Sequence, residues 1–465
     1  MYEINFYKPT HIYFIGIGGI SMSGLAEILL QEGFRISGSD LHRSPLTEQL
    51  ESQGAAIYYG QRASNIEDDV SVVVYTAAIH PDNPEYQEAE RRGIAMLTRA
   101  QLLGQLMKNY KTSIGVSGTH GKTTTTSLLT QVLLETDIDP TISVGGIMPA
   151  IGGNIRVGSN QVFVTEACEY TNSFLSFFPN MEIILNIEED HLDFFKDIQD
   201  IRHSFHQYMK LLPAHGILVI NSDIQDLEQL TSDLSCQIIT FGSNPKFSDY
   251  SACDITFNHS ACASYTVVHK KEDGSLEDLG RIELSIPGMH NVSNSLSVIA
   301  LAKELGLSME TIARGLHKFT GTNRRFEKKG ERNGVTIIDD YAHHPQEITA
   351  TLNTAQNYPH RDIWCVFQPH TYTRTFSLMD DFAKALSLAD HVVLADIYAA
   401  RETNTLGISS KDLQKKLLDL GTDAYYFPSF EEIQKFLLKN CINGDLLITM
   451  GAGDIVIVGE NLLKQ

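Results

Sequence analysis

The chain has 465 residues, which at roughly 100 to 200 residues per domain allows two to four compact units and excludes one small module. Hydrophobic residues make up 42% and charged residues 20%, so the chain is neither disordered nor fibrous. Against 36 Lys and Arg stand 57 Asp and Glu, and the formal net charge of -21 repels polyanions, which sets nucleic acid and anionic membranes aside as partners. No apolar run approaches the roughly 18 to 20 residues needed to cross a bilayer. The start of the chain carries Glu3 and lacks a basic-then-apolar signal pattern, so a cytoplasmic protein is expected. Cys168, Cys236, Cys253, Cys262, Cys365 and Cys441 show neither CxxC spacing nor a zinc-like cluster with histidine, and free thiols are expected, Cys168 as a small packing residue.

In chain order, the apolar run Ile12 to Ile15 leads into Gly16-Ile17-Gly18-Gly19-Ile20-Ser21, a helical stretch to Leu30, and a second strand from Phe34 toward Asp40. This is the opening of a βαβ unit. Strand-like runs at Ala55 to Tyr59 and Val70 to Thr76 continue a parallel doubly wound sheet, and a first domain is expected over 1–108. A new α/β unit opens at Thr112 to Val116, with strands expected at Gln161 to Thr165, Glu182 to Leu185 and Gly216 to Ile220. The region Ser248 to Pro287 alternates like antiparallel strands, and a helix from Val292 to Leu305 is expected to close this domain, 109–322. The third alternation, 323–465, has strand candidates at Val335 to Ile338, Asp362 to Phe367, His391 to Leu394 and Asp445 to Thr449. The fold class expected is α/β: three domains, each with a mainly parallel Rossmann-like sheet, the central one of P-loop ATPase type.

The strongest local signal is Gly118-Thr119-His120-Gly121-Lys122-Thr123-Thr124, a glycine-rich turn between a strand and a helix. Such a turn aims backbone N–H groups and a helix N-terminus at one place and attracts phosphate. Lys122 would meet the β- and γ-phosphates and the Thr123 hydroxyl would reach Mg²⁺. Val116 stands where the strict P-loop pattern has glycine, so this is a variant. Hard Mg²⁺ also needs carboxylate oxygen near a strand end, which Glu166 supplies. The run Asn186 to Asp193 follows another strand with four further acids and His191, a candidate second metal ligand or phosphate contact. His203 and His206, at helical spacing, read as surface or packing residues.

In the first domain the glycine turn followed by Asp40 fits a dinucleotide, since an acid roughly 20 residues on can bond a ribose hydroxyl. Ser21 occupies the third glycine position, and the turn fits another diphosphate-bearing nucleotide equally well. Thr76-Ala77-Ala78-Ile79-His80 and Thr98-Arg99-Ala100 fall where an open α/β sheet binds ligands. The third domain places polar runs after three strands: Asp339-Asp340-Tyr341-Ala342-His343-His344-Pro345, Gln368 to Arg374, and Met450 to Asp454. Three strand ends on one sheet edge build one crevice. Arginines there suit planar anions, and the histidine pair beside the two aspartates suits substrate orientation better than metal binding.

Four blocks together resemble one family over essentially the whole chain, the ATP-dependent Mur ligases of bacterial peptidoglycan synthesis, and within it the ligases that act on UDP-N-acetylmuramate. These are Gly16 to Gly24, Gly118 to Thr124, Arg324-Arg325-Phe326-Glu327 and Asp339 to Pro345. The resemblance implies ATP-dependent joining of L-alanine to the carboxylate of UDP-N-acetylmuramate through an acyl phosphate; the alternative is attachment of a preformed peptide by a muropeptide-recycling ligase. Arg325-Phe326-Glu327 favours alanine.

It further implies UDP-substrate contacts at Gly16, Gly18, Gly19, Ile20, Ser21, Asp40, Thr76 and His80. ATP contacts are implied at Gly118 to Thr124, His290, Asn291, Asn294 and Arg325, and metal ligation at Thr123, Glu166 and His191. Lys122, Asp340, His343 and Arg374 are the implied catalytic set. His343 or solvent would accept the amine proton. The stretch Cys168-Glu169-Tyr170-Thr171-Asn172 departs from the family's commonest form, which leaves its contacts to the muramoyl group open. A monomer or weak homodimer is expected.

Two other classes use part of these motifs. A nicotinamide-dependent oxidoreductase would leave the Lys122 loop idle, and a nucleotide switch would hold ATP without a second substrate.

Overall fold

The computed structural model describes residues 2–76, 78–192, 194–400 and 402–464. Three α/β units follow one another, each built on its own sheet with helices against it. Ala77 and Asp193, which fall within polar runs singled out above, lie outside the described residues.

The first sheet has five parallel strands in the order Ala56–Tyr59, Arg35–Asp40, His11–Ile15, Val70–Tyr75, Ala95–Thr98. Connections from His11–Ile15 run one way and those from Val70–Tyr75 the other, so the gap between these two strand ends is the switch point where open sheets bind ligands. The glycine turn and Thr76 stand there. All five residues of His11–Ile15 are buried, as expected of a central strand covered on both faces.

The central sheet has ten strands. At its middle, Thr112–Ser117 lies between Met181–Ile184 and Val162–Glu166, all parallel, so the phosphate loop emerges flanked by the two acid-bearing strand ends. The antiparallel region is confirmed as Tyr250–Phe257, Cys262–Lys270 and Leu276–Pro287. A hairpin, Thr141–Met148 with Gly153–Arg156, forms the other edge; its glycines and short runs hid it in the sequence. The helix His290–Glu304 does not close this unit as expected. A second helix, Met309–Lys318, follows it, burying Ile312, Gly315 and Leu316 against the same core.

In the third sheet, Glu327–Arg332 pairs antiparallel with Val335–Asp340. Leu446–Met450, Ile363–Phe367, His391–Leu394 and Asp423–Tyr426 follow in parallel. Val335–Asp340, Leu446–Met450 and Ile363–Phe367 are neighbours, so the three polar runs do leave one edge together. The Gly451 N–H donates to the Asp340 carbonyl (3.1 Å) and the Gln368 N–H to the Met450 carbonyl (3.0 Å). Among the described residues no helix is long and apolar enough to cross a membrane, and all six cysteines are free thiols.

Candidate active site

The loop after Ser117 is fixed by its neighbour strand. The Thr119 N–H donates to the Asn186 carbonyl (3.2 Å), the His120 N–H to Asn186 Oδ1 (2.8 Å), and the Glu188 N–H to Thr119 Oγ1 (2.9 Å). Gly121 has φ +84°, and a Cβ there would lie 2.8 Å from Asn294 Oδ1, so the turn excludes any side chain. Lys122 opens the helix Lys122–Leu133 and folds back over its own loop, donating to the Thr119 carbonyl (3.0 Å) and to Glu169 (2.9 Å). Burial opposes its charge, yet the Glu169 carboxylate outweighs burial and raises it to about 12, so the ammonium is permanent. Glu169 is itself 2% exposed, and the sequence did not single it out as a partner of Lys122.

Thr123 Oγ1 donates to Glu166 Oε2 (3.2 Å), and the Gly145 N–H donates to the other oxygen. Burial pushes the Glu166 carboxyl up, and no salt bridge reaches it among the described residues. A half-buried acid with hydroxyl and amide neighbours but no salt-bridge partner among the described residues is a fit for a hard divalent ion. His191 Nε2 stands 3.8 Å from Glu169 and 3.7 Å from Asp190.

A cavity of about 270 Å³ opens between the central and third units, and His120, Gly121, Thr124, His290, Asn291, Asn294, Arg325 and Asp340 all line it. Seven of the implied ATP contacts therefore meet in one place. Asn291 and Asn294 are tied together (3.0 Å), and burial with the nearby Arg325 pushes His290 down to about 4, a neutral ring at pH 7. Gly118, Thr119, Lys122 and Thr123 form the adjoining loop.

Asp340 ends its strand with both oxygens engaged, accepting from the Phe326 and Ala342 N–H groups (2.8 Å each). Burial pushes its carboxyl up to about 6, against the pull of Arg325. Arg324 instead serves structure, bonding Asp339 and the Gly451 and Gly453 carbonyls.

A second cavity, about 630 Å³, is lined by Tyr170, Asp190, His191, His370, Arg374 and Glu402. Arg374 crosses between units to Asp190 (3.2 Å). Burial raises Asp190, but His191, Arg374 and His344 outweigh it and hold the carboxyl well below its usual range. His343 donates from Nδ1 to the Tyr341 carbonyl (3.0 Å), which leaves the lone pair on Nε2. Burial pushes this imidazole down to about 4, despite Glu347, so the ring is neutral at pH 7.

In the first unit, the helix Ile20–Gln31 begins at Gly19, and Ser21 accepts from the Arg99 guanidinium (3.0 Å). Arg99 is therefore a cation beside the glycine turn, facing the central unit's Cys168. Asp40 Oδ2 accepts the Gly18 N–H (2.9 Å), so this acid shapes the turn itself. Thr76 follows the strand Val70–Tyr75, next to the strand that carries the turn, and His80, four residues on, is exposed. His206 pairs with Asp233 (2.7 Å), a surface role as expected. Among the described residues the cluster with metal-ligand spacing is His11, Glu67 and Asp69, and there Arg35 already bonds both acids.

Comparison with known proteins agrees in all three units. Family models for the Mur ligase family catalytic domain, the Mur ligase middle domain and the Mur ligase glutamate ligase domain match residues 11–111, 116–302 and 324–453. A UDP-N-acetylmuramate–L-alanine ligase of Lachnospira eligens is 60% identical over 464 residues, covering all of both chains. The crystal structure of a UDP-N-acetylmuramate-alanine ligase of Thermotoga maritima superposes with a TM-score of 0.78 at 30% identity over 98% of each chain. A murein peptide ligase of Psychrobacter arcticus gives 0.69 at 25% identity over 98% of each chain. Matched by these models over most of its length and by a full-length relative at 60% identity, the chain belongs to the Mur ligase family.

Proposed function

We propose that this enzyme joins L-alanine to the carboxylate of UDP-N-acetylmuramate, with ATP split to ADP and phosphate. The alternative of attaching a preformed peptide has less support, since full-length relatives at 60% and 59% identity are named alanine ligases. The observation that carries the proposal is convergence. His120, Gly121 and Thr124 of the Lys122 loop line one interdomain cavity with Arg325 and Asp340, and Asp190 and His191 line a second with Arg374, which pairs with Asp190.

A carboxylate cannot acylate an amine directly, because oxide would have to leave; phosphorylation provides a leaving group. Lys122 and the N–H groups of Gly118 to Thr124 hold the phosphates and neutralise charge as the γ-phosphoryl group meets the carboxylate. Thr123, Glu166 and His191 are the residues that would hold Mg²⁺, which when bound supplies further charge neutralisation at the phosphates. His290, Asn291, Asn294 and Arg325 take the nucleoside end. The amine of alanine enters the larger cavity, where Asp190 and Arg374 present charge, and His343 Nε2 accepts its proton. Asp340 holds the entrance strand of the third unit in place through Phe326.

The diphosphate of the sugar nucleotide lies at Gly16, Gly18, Gly19, Ile20 and Ser21, with Arg99 as its cation and Thr76 and His80 across the switch point. On this division 1–108 binds the UDP substrate, 109–322 binds ATP, and 323–465 closes and carries the amino acid. We place the protein in the cytoplasm, where its nucleotide substrates are made. Phosphate release measured with each substrate omitted in turn tests the proposal. Release is expected only with ATP, UDP-N-acetylmuramate and L-alanine together, and release that ignores the amino acid would refute it.

A further inference from the structure

We propose that Glu347 is a positioning residue for the ligation: its carboxylate clasps the closed third unit to the phosphate loop through His120 and orients His343 at the same time. The proposal rests on the ligase reading above. Glu347 is the third residue of the helix Pro345–Gln356, a place where an acid caps the helix and is favoured by the dipole. One of its oxygens does that work. Oε2 accepts the His343 N–H (3.0 Å) and the His344 N–H (3.3 Å) and lies 3.3 Å from His343 Nδ1.

The other oxygen is not needed for capping, and Oε1 meets His120 Nδ1 at 3.2 Å, a residue 227 positions earlier in the chain. Around this contact the His120 Nε2 faces Gln346 Oε1 (3.1 Å), and its ring lies 4.9 Å from that of His344. His120 and Glu347 are 15% and 16% exposed in their side chains, so the contact is made largely out of water.

The geometry is specific at both ends. The His120 N–H is held by Asn186 Oδ1, and two residues on is Lys122, so a pull on His120 is a pull on the loop that grips phosphate. At the other end, the carboxylate that takes His120 also bonds the backbone and approaches the ring of His343, the proton acceptor. The contact exists only while the third unit sits against the central one. A charge-assisted hydrogen bond of this kind favours the closed state by about 10- to 100-fold.

Four variants test this: Glu347→Ala, Glu347→Gln, His120→Ala and the double alanine variant. In phosphate release with all three substrates, Glu347→Ala is expected to lower kcat about 10- to 100-fold while KM for UDP-N-acetylmuramate, held on the first unit, moves less than about twofold. Glu347→Gln retains an acceptor for the His343 and His344 N–H groups and recovers part of the loss. The double variant is no slower than the slower single one. Losses that multiply in the double variant, or an equal rise in KM for the UDP sugar, overturn the clasp and leave Glu347 a capping residue.

A second measurement does not require turnover. Small-angle scattering with a non-hydrolysable ATP analogue is expected to show compaction of the wild type and not of Glu347→Ala; equal behaviour of the two overturns the proposal. Wild-type enzyme that releases no phosphate on these substrates would defeat the ligase reading instead, and the scattering result would still decide the clasp.

Discussion

The two junctions of this molecule are built from opposite materials. Between the first and central units the core is continuous: Leu102, Leu103, Leu106 and Met107 of the helix Arg99–Met107 pack with Phe163, Phe174, Phe177 and Phe205 in one buried cluster. Gly104 lies so close to the Ser176 carbonyl that any Cβ would overlap it. Between the central and third units there are cavities of about 270 and 630 Å³, spanned by polar contacts such as Arg374–Asp190 and His120–Glu347. Dense apolar contact is lost all at once and at high cost, whereas a few hydrogen bonds in a wet cleft exchange readily with water. On the division of substrates proposed above, the first junction would fix the sugar nucleotide's carboxylate relative to the phosphate loop, and the second would admit ATP and alanine and then shut on them.

Four changes would break or sharpen that contrast. The largest effect belongs to Lys122→Ala, expected to lower turnover about 10³-fold or more in a phosphate-release assay, as for loss of one preorganised charge at the transferred group. Because it leaves Glu169 buried without a cation, it also lowers the thermal midpoint; adding Glu169→Ala restores the midpoint and not the turnover.

Next is Arg374→Ala, which unpairs Asp190 across the second junction. A loss of about 10²-fold in kcat/KM for alanine is expected, with the KM of UDP-N-acetylmuramate unchanged in steady-state kinetics. At the fixed junction Gly104→Ala should act in the reverse sense, costing about 1 to 3 kcal/mol in denaturant unfolding while nucleotide binding, followed by calorimetry, holds.

The smallest change concerns Glu182, fully buried in a central strand with no hydrogen-bond partner for either oxygen among the described residues. Burial raises its carboxyl well above the usual range, so the folded protein keeps a proton that the unfolded chain gives up near pH 4.3. Stability from this group is full below that pH and declines as pH rises toward the folded value, by about 1.4 kcal/mol per pH unit. Glu182→Leu should flatten that slope in unfolding titrations and affect turnover little.

What could be read from the sequence follows the range of the interactions. Loops after strands were legible, because a strand pattern followed by Gly118 to Thr124 or by Asp339 to Pro345 places those residues at a sheet's carboxyl edge without any tertiary knowledge. The three third-unit runs indeed share one edge. Partners that meet through space were not legible: Lys122 with Glu169, Ser21 with Arg99 and His120 with Glu347 are separated by 47, 78 and 227 residues. Glu347 did leave a local signal. His344 followed by Pro345 and, three places on, an acid is a helix start with a capping glutamate, but only the fold shows that its second oxygen faces His120. Asp40 has a role that its spacing did not show, since its Oδ2 holds the Gly18 N–H of the turn.

In the proposed reaction the γ-phosphoryl group passes to the sugar-borne carboxylate before the amine attacks. Synthesis of UDP-N-acetylmuramate labelled with ¹⁸O in that carboxylate, followed by mass spectrometry of the phosphate released with ATP and L-alanine, tests it directly. One carboxylate oxygen is expected in each phosphate; phosphate that carries no label while the amide product forms would contradict it.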